Sequence, residues 1–289
     1  MNDKRYFRLL SGAAVALLLL FAAILLTLVT DSVPTMQTYG VGFLASRQWN
    51  PVTREYGALP FLTGTLLTSF VALALSLPLS LSVGIVMGEY LRSPFLSKIM
   101  SVFINLLASI PSVVYGLWGI TTIVPLVQKL ETAAGFPPYG VGILSASLVL
   151  AIMIIPYMAS LTSEVMKRVP DAIKDGALAL GTTRQEMITG ISLPYIRSGI
   201  AAGILLSLGR ALGETMAVTM LIGNATRMPD SVFSLGNTLA SVIASQFNEA
   251  ESDLHRSAMM SLALILFLLS FLTNLVGRKI IGKTEAANV

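Results

Sequence analysis

The sequence predicts an all-α polytopic membrane protein with six transmembrane helices and both termini cytoplasmic, and three observations predict it. First, the 289 residues are 54% hydrophobic and only 12% charged, with a mean hydropathy of +0.78. A soluble domain carries about 25% charged residues, and the apolar surplus here exceeds what one soluble core hides. Second, six apolar runs reach the roughly 20 residues that a helix needs to cross a bilayer, and helices satisfy their own backbone hydrogen bonds in lipid. Third, the basic residues are distributed unevenly. With both termini inside, 13 of the 19 Lys and Arg fall on the inner side and five on the outer side, a positive-inside bias. This composition excludes an ordinary soluble protein, a disordered chain and a nucleic-acid binder with a basic face. The lack of cysteine excludes a disulfide framework, a Cys-ligated zinc site and a thiol nucleophile.

The first span, Leu9–Thr30, follows Lys4, Arg5 and Arg8 as a signal peptide would. Its apolar run is about twice the 7–15 residues of a secretory core and no small-residue cleavage site follows, so it reads as a retained anchor. The outer loop Asp31–Pro60 comes next, with Trp49, Pro51, Tyr56 and Pro60 placed to cap the outer face. Residues 1–60 thus read as an N-terminal anchor helix and first periplasmic loop, 61–277 as a transmembrane domain, and 278–289 as a cytoplasmic tail. Spans two and three, Phe61–Gly88 and Ile99–Val127, exceed a straight crossing and contain Pro78, Pro111 and Pro125, so they tilt, bend or break. Span four, Tyr139–Ser163, contains Pro156. A long, evenly charged inner loop, Glu164–Arg197, leads to span five, Ser198–Gly223. The last outer loop, Asn224–Arg256, is polar and acidic, with a short helix expected around Ala240–Phe247. Span six is Ser257–Gly277. The pairs Gly84/Gly88, Gly199/Gly203 and Gly209/Gly213 are small residues four apart, which let helices approach closely.

One motif is refused. Gly277 to Thr284 matches the phosphate-binding pattern GxxxxGK[ST] letter for letter. That chemistry needs a strand delivering the loop and a helix leaving it. Here a membrane helix precedes the match and only Glu285–Val289 follow, so the segment reads as a basic anchor at the membrane surface. No ATP hydrolysis is expected of this chain, and no catalytic or metal-binding residue is assigned. The one histidine, His255, cannot build a metal cage alone and reads as an interfacial polar residue. Glu89 and Glu164 sit at span ends, where unpaired carboxylates are unremarkable.

The inner loop carries a spaced pattern: Asp175-Gly176-Ala177, three residues, Gly181, nine residues, then Ile191-Ser192-Leu193-Pro194. Pro170 opens one short helix, Gly181 supplies a turn, and a second helix over Thr182–Gly190 runs to Pro194. Ala177, Leu180, Met187, Ile188 and Ile191 form an apolar stripe among charges, which wants a protein partner or the headgroup layer. The spacing resembles the EAA loop of binding-protein-dependent ABC import permeases, departing at Asp175 for Glu and Gly176 for Ala. In that family the loop docks in a cleft of the ATPase subunit, so the resemblance implies ATPase coupling for Asp175, Gly176, Ala177, Gly181, Ile191, Leu193 and Pro194. Leu107–Gly119 and Gly209–Val218 look like the phosphate-importer permeases. Trp49-x-Pro51, Gly64-Thr65, Glu249–Ser252 and Leu254-His255 are similar to the PstC type. The resemblance implies a type I ABC importer permease fold in the bacterial inner membrane. The implied partners are a PstA-type permease homologue, two PstB-type ATPases and a PstS-type periplasmic phosphate-binding protein. ATP and Mg would then sit on the partner ATPase, with no cofactor in this chain.

Arg210 lies about 18 Å into span five, counted from Ser198 at 1.5 Å per residue. A buried Arg costs about 2.5–3.5 kcal/mol on insertion scales and marks a site by default. Glu214, one turn on, is expected to neutralise it on the same helix face. From charge alone the pair reads equally as phosphate pathway or as structural glue; the resemblance favours the pathway, with Ser109, Ser112, Asn105, Thr215 and Thr219 as further donors. Remaining alternatives are a PstA-like partner subunit, a permease for molybdate or sulfate, and an ion-coupled secondary transporter, against which the inner loop argues.

Overall fold

The computed structural model describes residues 3–91 and 93–286, and among them the regular structure is helical, with one isolated bridge between Asn50 and Glu55. Arg92 and the last three tail residues lie outside the described residues, as do the side chains of Lys4, Arg5, Arg8 and Lys283 counted in the charge asymmetry.

α1 runs over Asp3–Tyr39, nine residues beyond the predicted Thr30. Polar residues do not end it because their hydroxyls are satisfied within the helix: Ser32 donates to the Leu28 carbonyl at 2.6 Å and Thr38 to that of Pro34 at 2.8 Å. A short turn, α2 (Gly42–Ala45), precedes α3 (Leu59–Ile85), which passes into a π-turn over Val86–Tyr90.

Span three is two helices. α4 (Pro94–Ser109) ends at Ile110 and Pro111, both extended, and α5 (Ser112–Ala134) alone is long enough to cross. α6 (Ile143–Met166) follows. The inner loop folds as α7 (Asp171–Ala179), α8 (Arg184–Met187), a π-turn over Ile188–Ser192, and α9 (Leu193–Tyr195).

Span five is also broken. α10 (Arg197–Gly213) stops at Glu214, and α11 (Met216–Leu221) resumes after Thr215. α12 (Leu239–Gln246) matches the expected short outer helix, and α13 (Asp253–Ala286) completes the chain. Among the described residues five helices are long and apolar enough to cross a membrane, or six if the pair Arg184–Tyr195 and Arg197–Gly213, bent by 70°, counts as one span.

α6 is the buried centre. Ile143, Val149, Ile154 and Ala159 on it are fully buried. Glycine lets neighbours reach it: a Cβ on Gly84 of α3 would lie 2.5 Å from Thr162 Cβ, one on Gly88 2.6 Å from Met166 Cβ, and one on Gly199 of α10 2.6 Å from Val165. Gly209 and Gly213 differ from that expectation. Nothing described lies within 4 Å of where their Cβ would be, so they leave one face of α10 open.

α1 packs on α13, with Thr35 Oγ1 donating to Ser257 Oγ at 2.8 Å and Phe21 meeting Phe267 at 5.2 Å between ring centroids. Contacts that run backwards along one helix and forwards along the other make the two antiparallel. The N-terminal end of α1 and the C-terminal end of α13 therefore share one end of the bundle. The inner loop joins them, since Ile281 lines a recess with Arg168, Tyr195 and Ile196. Residues 277–284 continue α13 as helix, so no loop is available there to wrap a phosphate.

The opposite end is capped by the first long loop. Trp49 stands edge-on to Tyr56 and Phe61, each at 5.0 Å, and donates from Nε1 to Gln246 Oε1 at 3.0 Å. His255 is buried and stacked on Tyr56 at 5.3 Å. α3 docks α12 here, Thr65 Oγ1 accepting from the Leu239 N–H at 2.9 Å. A methyl on Gly64 would fall on the Asn237 carbonyl oxygen. Gly64→Ala is therefore expected to destabilise the fold by about 1–3 kcal/mol, as overpacking does, whereas Gly12→Ala, with open space around it, is neutral. Thermal unfolding of the two variants in detergent, followed by size-exclusion fluorescence, checks this; equal midpoints would refute the docking.

Candidate functional site

The two helix breaks meet at one place. A helix that stops leaves its last carbonyls without partners, and at the end of α4 two tyrosines supply them. Tyr115 Oη donates to the Leu107 carbonyl at 2.9 Å, and Tyr157 Oη, from the middle of α6, donates to that of Ala108 at 3.1 Å. The ring of Tyr157 also lies under the Arg210 guanidinium, 4.6 Å from Cζ to centroid. Arg210 occupies the last turn of α10, and its Nε is buried without a hydrogen bond.

The expected Arg210–Glu214 ion pair is not formed. Among the described residues the ion pairs within 4 Å both belong to Glu89. The physical reason is the break: an i,i+4 contact needs continuous helix, and Glu214 is already extended, with φ −70° and ψ 127°. Its buried carboxylate turns instead to the start of α11, where Oε1 accepts from the Ala217 N–H at 3.4 Å. A cation at a helix C-terminus and an anion at the next N-terminus each follow the helix dipole, worth about 0.3–1 kcal/mol.

The other predicted pathway residues are placed unevenly. Ser109 and Ser112 flank the α4–α5 break; Ser109 is exposed and donates to the Leu106 carbonyl at 2.8 Å, and Ser112 is half-buried. Asn105, a turn earlier, is exposed. Thr215 sits in the second break and donates to the Gly213 carbonyl at 3.2 Å, and Thr219 donates to that of Thr215 at 2.7 Å. α11 holds close to α5, since a Cβ on Gly116 would lie 3.2 Å from Ala217 Cα. Tyr157 is the residue that sequence reasoning missed. Its signal was a phenol directly after Pro156 in the middle of an apolar span.

At the inner loop, Asp175, Gly176 and Ala177 lie on α7, the first two exposed and Ala177 buried against Met187 and Ile188. Ile191 and Leu193 pack into the same cluster with Ile85 of α3, while Pro194 is exposed at the start of α9. Gly181 makes the turn at φ +89°, and Thr182 Oγ1 donates back to the Ala177 carbonyl at 2.9 Å. Thr183 and Glu186 close a reciprocal capping box on α8, which leaves that helix shorter than the predicted Thr182–Gly190. Leu180 departs from the expected stripe: it is 88% exposed, with Ile173 and Leu178 also exposed beside it. The stripe thus divides, most of it anchoring the loop and Leu180 standing at its tip.

Glu89 corrects the reading of it as an unpaired interfacial carboxylate. It is buried in the π-turn after α3, with Lys174 Nζ at 2.6 Å and Arg184 Nη2 at 3.7 Å. Arg184 also donates to the Glu89 carbonyl and lies over the Tyr90 ring at 4.5 Å. Beside this cluster is a cavity of about 520 Å³ whose walls include Lys167, Asp171 and Asp175.

Residues 80–284 match the family described as binding-protein-dependent transport system inner membrane component. Two curated relatives are named phosphate transport system permease protein PstC. That of Pasteurella multocida is 42% identical, with 94% of this chain and 89% of that protein aligned. That of Mesorhizobium japonicum is 36% identical over 99% of this chain and 92% of that protein. The chain belongs to the PstC type within that family. Solved structures agree on the fold. A chain of a bacterial alginate ABC transporter aligns with a TM-score of 0.63 at 18% identity, covering 96% of each chain. A chain of the MetNI methionine ABC transporter, in an inward-facing form, aligns at 0.61 and 16% identity, covering 82% of this chain and 99% of that one. This PstC-type chain is therefore a multi-pass membrane permease.

Because Gly181 holds a left-handed conformation with open space around it, Gly181→Val is expected to strain the turn by about 1–2 kcal/mol while the spans stay inserted. Trypsin should then cut faster at Lys174 and Arg184, which the intact loop holds against Glu89. Unchanged cleavage rates would show that the turn carries no such constraint.

Proposed function

We propose that this chain is one permease half of an ATP-driven importer that moves inorganic phosphate across the bacterial inner membrane by alternating access. One observation carries the reading: a guanidinium within an apolar span, Arg210, is held by an aromatic ring and has no described carboxylate within ion-pairing distance. Such a charge is costly in a bilayer, and a ring face attracts it without cancelling it. The cation therefore stays available to an anion. Its planar fork offers paired donors to two phosphate oxygens, which a Lys cannot match.

Glu214, at the neighbouring break, sets a negative charge near the path and keeps the anion from binding too tightly to leave, as conduction requires. Ser109, Ser112, Asn105 and Thr215 are the further polar groups of the pathway in this reading. A PstA-type homologue covers the exposed α4–α5 face and completes the path. Two PstB-type ATPases dock at the inner loop, through the tip at Leu180 and the segment Asp175 to Pro194. ATP and Mg act there and not on this chain. A PstS-type protein delivers phosphate to the opposite end, and lipid surrounds the remaining apolar surface. The 36–42% identity to PstC permeases supports the choice of phosphate among oxyanions.

The experiment is phosphate uptake at matched expression and complex yield. Arg210→Lys should lower uptake by roughly 10- to 100-fold, in line with losing one charged hydrogen bond of about 1.5–3 kcal/mol, and Arg210→Gln should abolish it. Glu214→Gln should slow turnover while tightening phosphate retention. Tyr157→Phe, which keeps the ring, should retain more uptake than Tyr157→Leu, which removes it. Wild-type uptake by Arg210→Gln would overturn the reading.

A further inference from the structure

We infer that Glu89 is the joint through which the inner loop drives the membrane helices: a positioning residue whose loss disconnects ATP hydrolysis from phosphate movement. This rests on the proposed function, since it gives the loop an ATPase to follow. Glu89 is 85 and 95 residues from its two cations in sequence, yet it takes both. Lys174 comes from α7, before the Gly181 turn, and Arg184 from the first residue of α8, after it. One residue thus ties the two arms of the loop to one point: its carboxylate meets Lys174 at 2.6 Å and Arg184 at 3.7 Å, and its backbone carbonyl accepts from Arg184 as well.

That point is the end of α3. The Glu89 side chain is 5% exposed and that of Lys174 11%, so solvent and salt screen the pair little. The ring of Tyr90 holds Arg184 from the adjacent residue. Removing the carboxylate would leave two cations facing a site built around a charge, the costly case for a buried pair. Around this joint the backbone is π-helical on both sides, at Val86–Tyr90 and at Ile188–Ser192. Single π-turns recur at functional sites, and here one of them contains Glu89 itself while the other follows α8.

From Glu89 the contact continues into the bundle. Gly84 of α3 and Gly88 of the π-turn after it lie against Thr162 and Met166 of α6, and α6 carries Tyr157, which holds Arg210. A displacement of the loop tip therefore reaches the anion site through packed groups: the ion cluster, α3, α6 and then the tyrosine. The apolar contacts of Ala177, Met187 and Ile188 with Ile85 keep the loop seated when the charge is removed. Glu89→Gln is thus expected to fold and assemble.

The test uses the complete importer in proteoliposomes, measuring ATP hydrolysis and phosphate uptake together. Wild type must first bind an ATPase and transport phosphate; failure there refutes the proposed function and not the joint. Given that, Glu89→Gln should keep complex yield and ATP hydrolysis while phosphate moved per ATP falls about tenfold, within the 5–150-fold of typical coupling energies. Glu89→Asp should recover part of the ratio, and Lys174→Gln and Arg184→Gln should each lower it. Because the chain has no cysteine, a photo-crosslinker on Leu180→Cys reads docking separately, and it should mark the ATPase equally with Glu or Gln at position 89. An unchanged phosphate-to-ATP ratio in Glu89→Gln would overturn the inference. So would a fall in complex yield, hydrolysis and uptake in equal proportion across Glu89→Gln, Lys174→Gln and Arg184→Gln, which is the behaviour of a merely structural pair.

Discussion

A helix broken inside an apolar slab must find partners for the backbone groups that the break exposes, and this requirement organises the interior of the chain. The carbonyls of Leu107 and Ala108 at the end of α4 are satisfied by the phenols of Tyr115 and Tyr157. The N–H of Ala217 at the start of α11 is satisfied by the Glu214 carboxylate. Water would do the same work elsewhere, but in hydrocarbon an unsatisfied group costs several kcal/mol. Side chains committed to repairing the breaks are thereby fixed in position. Tyr157 is fixed most usefully, because the same ring that reaches α4 through its hydroxyl supports Arg210 through its face. The breaks and the cation are one construction.

Hydropathy and charge counting locate the spans because crossing a bilayer is a requirement on length and composition, which are local properties. The breaks are less legible. Pro78, Pro125 and Pro156 lie inside continuous helices, whereas Pro111 stands at a break and Glu214–Thr215 breaks with no proline at all. What decides is contact across the fold: α11 must turn to seat Ala217 against Gly116 on α5, and no sequence period records that. The Arg210–Glu214 spacing reads as a helical pair for the same reason, the period being right and the helix ending in between. Glu89 was illegible in a different way. Its described partners, Lys174 and Arg184, lie 85 and 95 residues further on, in α7 and α8, and no local spacing points to them.

The buried charges divide by what surrounds them. Glu89 faces two cations in close geometry, so its energy depends on keeping that geometry, and moving one member moves the others. Arg210 faces a ring, whose attraction of about 0.5–2 kcal/mol leaves most of the charge unanswered. The first arrangement suits a mechanical joint and the second a receptor for a transient anion. Glu214, held by a backbone N–H, sits between these cases, close enough in sequence to bias the site and too misaligned to close it.

The inner loop shows the same division of labour on a larger scale. Its base is overdetermined, by the ion cluster at Glu89 and by the apolar cluster of Ala177, Met187 and Ile188 with Ile85. Its tip, from Leu178 through Leu180 to Gly181, carries exposed apolar side chains around a turn that glycine makes at positive φ. An exposed Leu in isolation is ordinary, but one at the apex of a segment braced on both arms is placed to receive force and not to dissipate it. Were the tip buried or the base loose, motion at one would not appear at the other. In the proposed coupling, the bracing of both arms at Glu89 lets a small displacement at the loop reach the end of α3 and, through it, α6. Gly84 and Gly88 bring the chain into close contact with Thr162 and Met166 of α6, so that a shift at the end of α3 is felt there.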